Sequence, residues 1–154
     1  LYGAGPAKIG SIVNGTANDG RKLQEKFLSN LPNLARLSRA VQSKAGRGYI
    51  RGLDGRRLWI RSRHAALNTL LQGGGAIVCK QWAIFLKKEI DKRGLDAILV
   101  NTIHDEQQYE VTRQDAEEVC VIADETMQSV GKFFSMRVPL NADSKIGNTW
   151  ADTH

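Results

Sequence analysis

Cysteine and histidine are both scarce in this chain, which has two cysteines and three histidines among 154 residues. Cys79 and Cys120 form no C-x-x-C pair and stand in apolar helical contexts, so we expect reduced, buried thiols and no disulfide. A metal-dependent phosphohydrolase site on His104 and Asp105 would need more histidines in matching contexts than the chain contains. The sequence therefore offers no zinc ligand set.

Long apolar runs and phosphate-binding glycine motifs are missing as well. The longest apolar run, residues 73 to 79, is far shorter than the roughly 18 residues that cross a bilayer. No charged segment followed by an apolar one marks the chain for export. The glycines within residues 1 to 5 lead to no Gly-Lys-Ser or Gly-Lys-Thr, which argues against a P-loop or dinucleotide site.

Acidic residues are nearly absent from residues 36 to 63, where nine cations accompany the single acid Asp54, a net charge of about +8. The nine cations are Arg36, Arg39, Lys44, Arg47, Arg51, Arg56, Arg57, Arg61 and Arg63. The planar guanidinium of arginine suits phosphate oxygens, so this segment predicts a polyanionic partner. A solvated basic surface is the alternative, whereas a membrane surface is disfavoured because apolar anchors do not interleave at helical spacing.

The apolar spacing predicts an α+β protein that combines helices with two β-hairpins. An Asp-Gly step at residues 54 and 55, between two β-prone runs, indicates the first hairpin. Three glycines at residues 73 to 75 predict a helix kink or a close approach to the backbone. Helices are predicted over residues 6–13, 21–28, 33–41, 63–71, 76–92 and 115–134, a loop over 14–20, and strands over 97–103, 107–111 and 138–140.

Two adjacent carboxylates, Asp105 and Glu106, follow the apolar run 97 to 103 and are expected in the turn of the second hairpin. Their like charges repel each other unless a cation shares the site. Mg²⁺ binds through carboxylate oxygens, and phosphoryl-transfer enzymes use such ions in pairs. Spacing alone leaves a solvated Asp-Glu turn as the alternative, because no second strand-borne carboxylate of this kind is evident.

Four motifs follow one another along nearly the whole chain: Tyr2-Gly3, residues 52–57 with 61–72, residues 104–106, and the end of the chain with Lys145, Trp150 and His154. Together they resemble the motifs of family A DNA polymerases, the DNA polymerase I type. In that resemblance they correspond to the end of a fingers helix, the primer-template segment, the third catalytic motif and the end of the polymerase chain. Within this family, the motifs are most similar to those of the replicative polymerases of short-tailed bacteriophages. This resemblance implies a partial fingers subdomain at residues 1–60, with the basic hairpin, followed by the carboxy-terminal part of the palm at residues 61–154.

The resemblance also implies a role for each matching residue. Asp105 would bind both catalytic Mg²⁺ ions with Glu106 beside it, Tyr2 would lie near the incoming deoxynucleoside triphosphate, and His154 would be a neighbour of the active site. Primer-template DNA would contact His104, Arg56, Arg57, Arg61, Arg63, His64, Asn68 and Gln72. From the residues alone, Asn68 and Gln72 read equally well as an ordinary polar helix face.

The chain departs from the family pattern in two ways. Gln107 stands where the family usually has an apolar residue, and the first catalytic aspartate motif and the fingers-helix arginine and lysine are absent from this sequence. We therefore expect a fragment that needs an amino-terminal part, is inactive alone, acts in the cytoplasm (the host's if viral), and exposes an apolar face. The alternatives are a non-catalytic DNA-binding piece or a subunit of a split polymerase; a single-subunit RNA polymerase fits the His-Asp-Glu motif less well.

Overall fold

The computed structural model describes residues 4 to 153, which form two compact units that meet between Gly74 and Gly75. The described residues contain five α-helices and four strands, besides three short 3-10 helices: α1 (Pro6–Ile12), α2 (Ala17–Asn30), α3 (Pro32–Lys44), β1 (Tyr49–Arg51), β2 (Arg57–Trp59), α4 (Ala66–Arg93), β3 (Ala97–Ile103), β4 (Glu106–Val111) and α5 (Ala116–Phe133). The predicted α+β class is confirmed, and no helix among the described residues is long and apolar enough to cross a membrane. The division into fingers and palm stays a prediction.

Helix α2 begins at Ala17, so the loop predicted over residues 14 to 20 is wrong in its second half. The reason is a capping box, in which the Thr16 hydroxyl accepts a hydrogen bond from the Asp19 amide while the Asp19 carboxylate accepts one from the Thr16 amide at 2.9 Å. These bonds also lower the pKa of Asp19. Two buried glycines, Gly10 and Gly20, let α1 and α2 pack closely.

Strands β1 and β2 form the predicted first hairpin, in an antiparallel register that pairs Tyr49 with Trp59 and Arg51 with Arg57. Ile50, opposite Leu58, faces the core of the first unit. That core joins α3, the hairpin and the start of α4 through Val41, Ala45, Ile50 and Ala66, with Leu58, Ile60 and Leu70 against them. The hairpin is therefore fixed on one face by apolar burial and exposed on the other.

Helix α4 runs without interruption through residues 73 to 75, so the predicted break into two helices is wrong. Buried apolar residues support the helix on both sides of the glycines, with Ala66 and Leu67 before them and Ile77 after them. This burial outweighs a propensity cost of about 1 kcal/mol for each glycine. The alternative expectation, a close approach, is met at Gly73, where a Cβ would lie 2.8 Å from Leu58 Cδ1. Nothing lies within 4 Å of the corresponding positions at Gly74 and Gly75.

The core of the second unit lies between α4 and α5, where Trp82, Leu86, Ile90, Ile122 and Val130 are buried. The indole Nε1 of Trp82 donates to the Ala123 carbonyl at 2.9 Å and to Thr126 Oγ1 at 3.2 Å, which satisfies the polar groups of this core. The prediction for α5 is confirmed, with Asp115 and Phe134 as its caps. Both cysteines are free and half-buried.

The strand predicted over residues 138 to 140 is absent from the described structure, where the segment is irregular. Pro139 has no amide hydrogen to offer a neighbouring strand. The segment is held instead by contacts with α5: the Ala142 amide donates to Asp124 Oδ1 at 2.9 Å, and Leu140 packs over Gly131. The expected exposed apolar face is confirmed on β3, where Ile98 is 62% and Val100 57% exposed.

Candidate active site and nucleic-acid interface

The two predicted catalytic carboxylates lie where β3 turns into β4. Ile103 pairs directly with Glu106, so His104 and Asp105 form a two-residue turn and Glu106 is the first residue of β4. His104 takes a φ of 54°, in the left-handed region that ordinary residues seldom adopt. Asp105 and Glu106 are both exposed, so the turn presents two carboxylates to solvent from a rigid hairpin.

A β-bulge at Val100 decides which residues share a face with these carboxylates. The register shifts between Leu99, opposite Tyr109, and Asn101, opposite Gln108. Because paired residues share a face, Glu106 lies with Ile103 on the side away from the half-buried Tyr109. On that side the Gln108 amide donates to Glu106 Oε1 at 2.7 Å and orients its carboxylate.

Gln107 points to the other side of β4 and joins the hairpin to helix α4. Its Nε2 donates to the Cys79 carbonyl oxygen at 3.2 Å, and its Oε1 accepts a hydrogen bond from the Tyr109 hydroxyl at 3.0 Å. Burial raises the pKa of Tyr109 to about 12. The polar residue at a usually apolar position is therefore accommodated, because both ends of its amide have partners.

The electrostatics also place Asp105 close to α4. The pKa of the Cys79 thiol is raised, first by burial and then by the negative charge of Asp105. The turn thus lies beside the part of α4 that contains Cys79. A cation at the turn would be favoured by the same negative potential that disfavours a thiolate.

Hard oxygen donors characterise this turn, and they suit a cation such as Mg²⁺. Between residues 4 and 153, no group of three or more histidine, cysteine, aspartate or glutamate side chains is arranged to hold a metal ion. Asp105 and Glu106 are both exposed, so each carboxylate is open to a cation whose other ligands come from elsewhere.

The basic residues of the first unit are concentrated on and beside the β1–β2 hairpin. Arg51 Nη1 donates to the Gly55 carbonyl at 2.9 Å, and the Arg57 guanidinium lies 4.9 Å from the centre of the Tyr49 ring. Arg56 is paired with Asp54 at 2.5 Å. Desolvation raises the pKa of Asp54, but the hydrogen bonds and charge of Arg56 outweigh it, and the net pKa is lowered.

The segment between the hairpin and α4 carries three of the predicted DNA-binding residues. Arg61, Arg63 and His64 are exposed, and His64 Nε2 lies 3.3 Å from Ser62 Oγ. Ser62 precedes a short 3-10 helix, Arg63–Ala65, and its side chain makes no capping hydrogen bond. Its hydroxyl is engaged with the imidazole instead.

Asn68 and Gln72 differ in their surroundings, although they lie one turn apart on α4. Gln72 is exposed, whereas Asn68 Oδ1 is buried and has no hydrogen-bond partner among residues 4 to 153. A buried acceptor without a donor costs roughly 1–3 kcal/mol. Asn68 thus differs from an exposed surface amide, and its role in DNA binding stays a prediction. Tyr2 and His154 lie outside the described residues, and their roles stay predictions.

Comparison with known proteins shows the family to which the chain belongs. The model of DNA polymerase family A matches residues 1–152. The chain belongs to DNA polymerase family A. It is 38% identical to the DNA-directed DNA polymerase of Enterobacteria phage T3 over its whole length and 31% identical to DNA polymerase I of Aquifex aeolicus over 94% of it. These matches cover 25% and 26% of the two relatives, so the chain spans about a quarter of their length.

The fold has a solved counterpart in the polymerase domain of Pol1 from M. smegmatis, which was determined in complex with DNA primer-template and dNTP. The TM-score is 0.78 at 22% sequence identity, and the match covers 90% of this chain and 26% of that one. The likeness bears on the fold alone. The family match by itself removes the single-subunit RNA polymerase from the alternatives.

Sequence reasoning missed three features of these sites. The bulge at Val100 leaves no signal in the sequence, because no glycine or proline marks its position. The sequence showed Gln107 only as a polar residue at a position that is usually apolar in the family. Its hydrogen bond to a main-chain carbonyl has no sequence signature. The edge-to-face pair Tyr49 and Trp59 was detectable, since both aromatic residues flank the predicted turn at matching distances.

Proposed function

We propose that this chain is the carboxy-terminal part of a template-directed DNA polymerase and supplies one side of its catalytic centre. The observation that carries the proposal is the pair Asp105 and Glu106 in a rigid hairpin turn, anchored to α4 through Gln107. Family membership supports the same activity for the complete protein. The reaction is attack of the primer 3′-hydroxyl on the α-phosphorus of a deoxynucleoside triphosphate, with pyrophosphate leaving.

Asp105 and Glu106 are the residues of this chain that would hold Mg²⁺. When bound, a pair of such ions lowers the pKa of the attacking hydroxyl and stabilises charge on the leaving oxygens. Asp105 is proposed as the shared ligand, and Glu106, oriented by Gln108, as the supporting carboxylate. His104, whose left-handed backbone makes the tight turn, is proposed to contact the primer end.

The first unit is proposed to hold the primer-template duplex. Asp54, the one acid within residues 36 to 63, is paired with Arg56, so the other eight cations have no acidic neighbour in that segment. Arg57, Arg61, Arg63 and His64 would contact phosphates along the strand path, and Arg56 would do so by exchanging its carboxylate partner. The minor groove of a G·C pair offers an amino donor, which suits the unpartnered acceptor of Asn68 beside Gln72.

The isolated chain is proposed to bind DNA without extending a primer. The first catalytic aspartate motif and the triphosphate-binding arginine and lysine are absent from this sequence, so an amino-terminal part must supply them. Positioning and charge stabilisation make up most of phosphoryl-transfer catalysis, and half of each would be missing. Tyr2 would then adjoin the incoming nucleotide, with His154 nearby. The parent protein would act in the host cytoplasm if it is viral, as the polymerase of phage T3 is.

A salt titration of duplex binding by the purified chain tests this proposal. We expect the affinity to fall steeply with salt, with a log-log slope of about −0.9 for each phosphate contacted. Arg61→Gln should make the slope less steep by about 0.9, whereas Lys8→Gln, an exposed cation on α1 outside the basic segment, should leave it unchanged. Binding that does not respond to salt, or two variants with the same slope, would refute the proposed interface.

A further inference from the structure

The outward face of the β1–β2 hairpin combines aromatic and cationic side chains. The pairing places Tyr49, Arg51, Arg57 and Trp59 on one face of the two strands. Ile50 and Leu58, the pair that lies between these two pairs, occupy the opposite face and pack into the core. No acidic residue lies on either strand, since the one acid of the segment stands in the turn and is paired there. The outward face therefore has only apolar rings and positive charge to offer a partner.

Trp59 is the most exposed large apolar side chain of this face, with 71% of its surface accessible. Its ring centre lies 5.9 Å from that of Tyr49, with the planes inclined at 65°, in an edge-to-face contact. Arg57 in turn lies against the Tyr49 ring, 4.9 Å from its centre. Tyr49 thus holds the indole of Trp59 in one orientation and is itself held by Arg57. Most of the indole surface nevertheless remains exposed to solvent.

The chemistry of this face selects one kind of partner. An apolar protein surface would have to desolvate Arg51 and Arg57 without compensating them. A paired duplex satisfies the arginines through its phosphates but keeps its base faces inside the stack, so the indole would gain little from it. An unpaired nucleotide suits both the arginines and the indole, because its phosphate can contact a guanidinium while its base stacks on the aromatic ring.

We propose that Trp59 is a stacking site for unpaired bases of single-stranded DNA next to the duplex, with Arg51 and Arg57 contacting the adjoining phosphates. The inference rests on the proposed function, because it assumes a primer-template as the ligand. It adds a residue that makes the chain prefer a template with an unpaired extension over a blunt duplex. The preference comes from base stacking and is therefore tolerant of sequence.

The test compares the full chain and its variants on three labelled DNAs: a blunt duplex, the same duplex with an unpaired extension, and one whose extension carries abasic sugars. Wild type should bind the unpaired extension about 10-fold more tightly than the abasic one, which has the same phosphates. Trp59→Ala should lose that gain and leave the blunt duplex unaffected, and Trp59→Phe should retain most of it. The matched control is Trp150→Ala, at a tryptophan that is 62% exposed and lies outside the basic segment.

The salt dependence separates stacking from charge. Trp59→Ala should leave the log-log slope unchanged, whereas Arg61→Gln should flatten it on all three DNAs by about 0.9. Equal binding of the unpaired and abasic extensions, or a Trp59→Ala variant that keeps the gain, would overturn the inference while salt-dependent duplex binding still upheld the proposed function. A wild-type chain that binds none of the three DNAs would refute both. Circular dichroism of each variant verifies that this exposed position leaves the fold intact.

Discussion

Gln107 donates a hydrogen bond from its side-chain amide to the main-chain carbonyl oxygen of Cys79, 3.2 Å away, and so ties the hairpin to the middle of α4. The residue lies two positions after Asp105, on the opposite side of the strand from Glu106. An apolar residue at this place would pack against α4 without fixing a register. The hydrogen bond fixes the orientation of the hairpin against α4, and the Tyr109 hydroxyl donates to the amide oxygen of Gln107.

Gln107→Leu should lower the free energy of unfolding of the chain by about 1–2 kcal/mol, although leucine is the more apolar residue. The substitution leaves the half-buried Tyr109 hydroxyl without its acceptor, and such an orphaned group costs more than the added apolar contact returns. Urea denaturation followed by circular dichroism measures the change, with the exposed Gln114→Leu as control. A Gln107→Leu variant as stable as wild type would show that the hydrogen bonds do not hold the hairpin.

Gly74→Ala should stabilise the chain by about 1 kcal/mol, because alanine is the better helix former and nothing lies within 4 Å of the new methyl group. The adjacent Gly73→Ala is the matched comparison and should gain less or nothing, since its methyl group meets Leu58 Cδ1 at 2.8 Å. Thermal unfolding of the two variants gives the difference. Equal melting temperatures of the two variants would mean that Leu58 does not pack closely against the helix at Gly73.

Gly20→Ala should destabilise the first unit by roughly 1–3 kcal/mol, as overpacked substitutions do. A Cβ at this position would lie 2.0 Å from the Pro6 carbonyl oxygen, so α1 must move away from α2. Limited proteolysis should then cut near α1 at a lower protease concentration than in wild type. The control is Gly5→Ala, which has nothing within 4 Å of its methyl group. Equal resistance of the two variants would contradict close packing of the helices.

The stability of the second unit should fall as the pH rises from about 10 to about 12. Burial raises the pKa of Tyr109 from 10.0 to about 12, so the unfolded chain loses this proton first. The contribution is complete below pH 10 and is lost as the pH passes the folded value. Absorbance of tyrosinate at 295 nm should show a step near pH 12 that Tyr109→Phe removes. Titration of every tyrosine near pH 10 would argue against a buried hydroxyl.

The elements that the sequence predicted best are those with an uninterrupted local pattern. Strand β3 has its predicted bounds, because a β-branched run ends at the polar His104, and α5 differs from its prediction by a residue at each end. The start of α2 was missed because its capping box uses Asp19 where glutamate or glutamine is usual. The failure at residues 73 to 75 has another cause, since tertiary burial on either side overrides the low helix propensity of glycine.

The candidate site likewise has features that the local sequence pattern predicts and features that it does not. The position of Asp105 in a tight turn follows from the strand pattern on both sides of it. What the pattern does not contain is long-range: the approach of Asp105 to Cys79, the anchor at Gln107 and the unpartnered acceptor of Asn68 all depend on packing between distant segments. The residue roles themselves came from the resemblance to the polymerase family, whose membership is established for the chain.

The central claim is that Asp105 belongs to a polymerase catalytic centre, and single-turnover nucleotide incorporation tests it most directly. The measurement uses a complete polymerase that carries this chain as its carboxy-terminal part, in the presence of Mg²⁺. Asp105→Ala should lower the incorporation rate by roughly 10³-fold or more while primer-template affinity survives, because a lost metal ligand removes charge stabilisation in the transition state. Glu110→Ala, an exposed acid further along β4, should have no such effect. An Asp105→Ala rate within about tenfold of wild type, or reproducible primer extension by the isolated chain, would contradict the account.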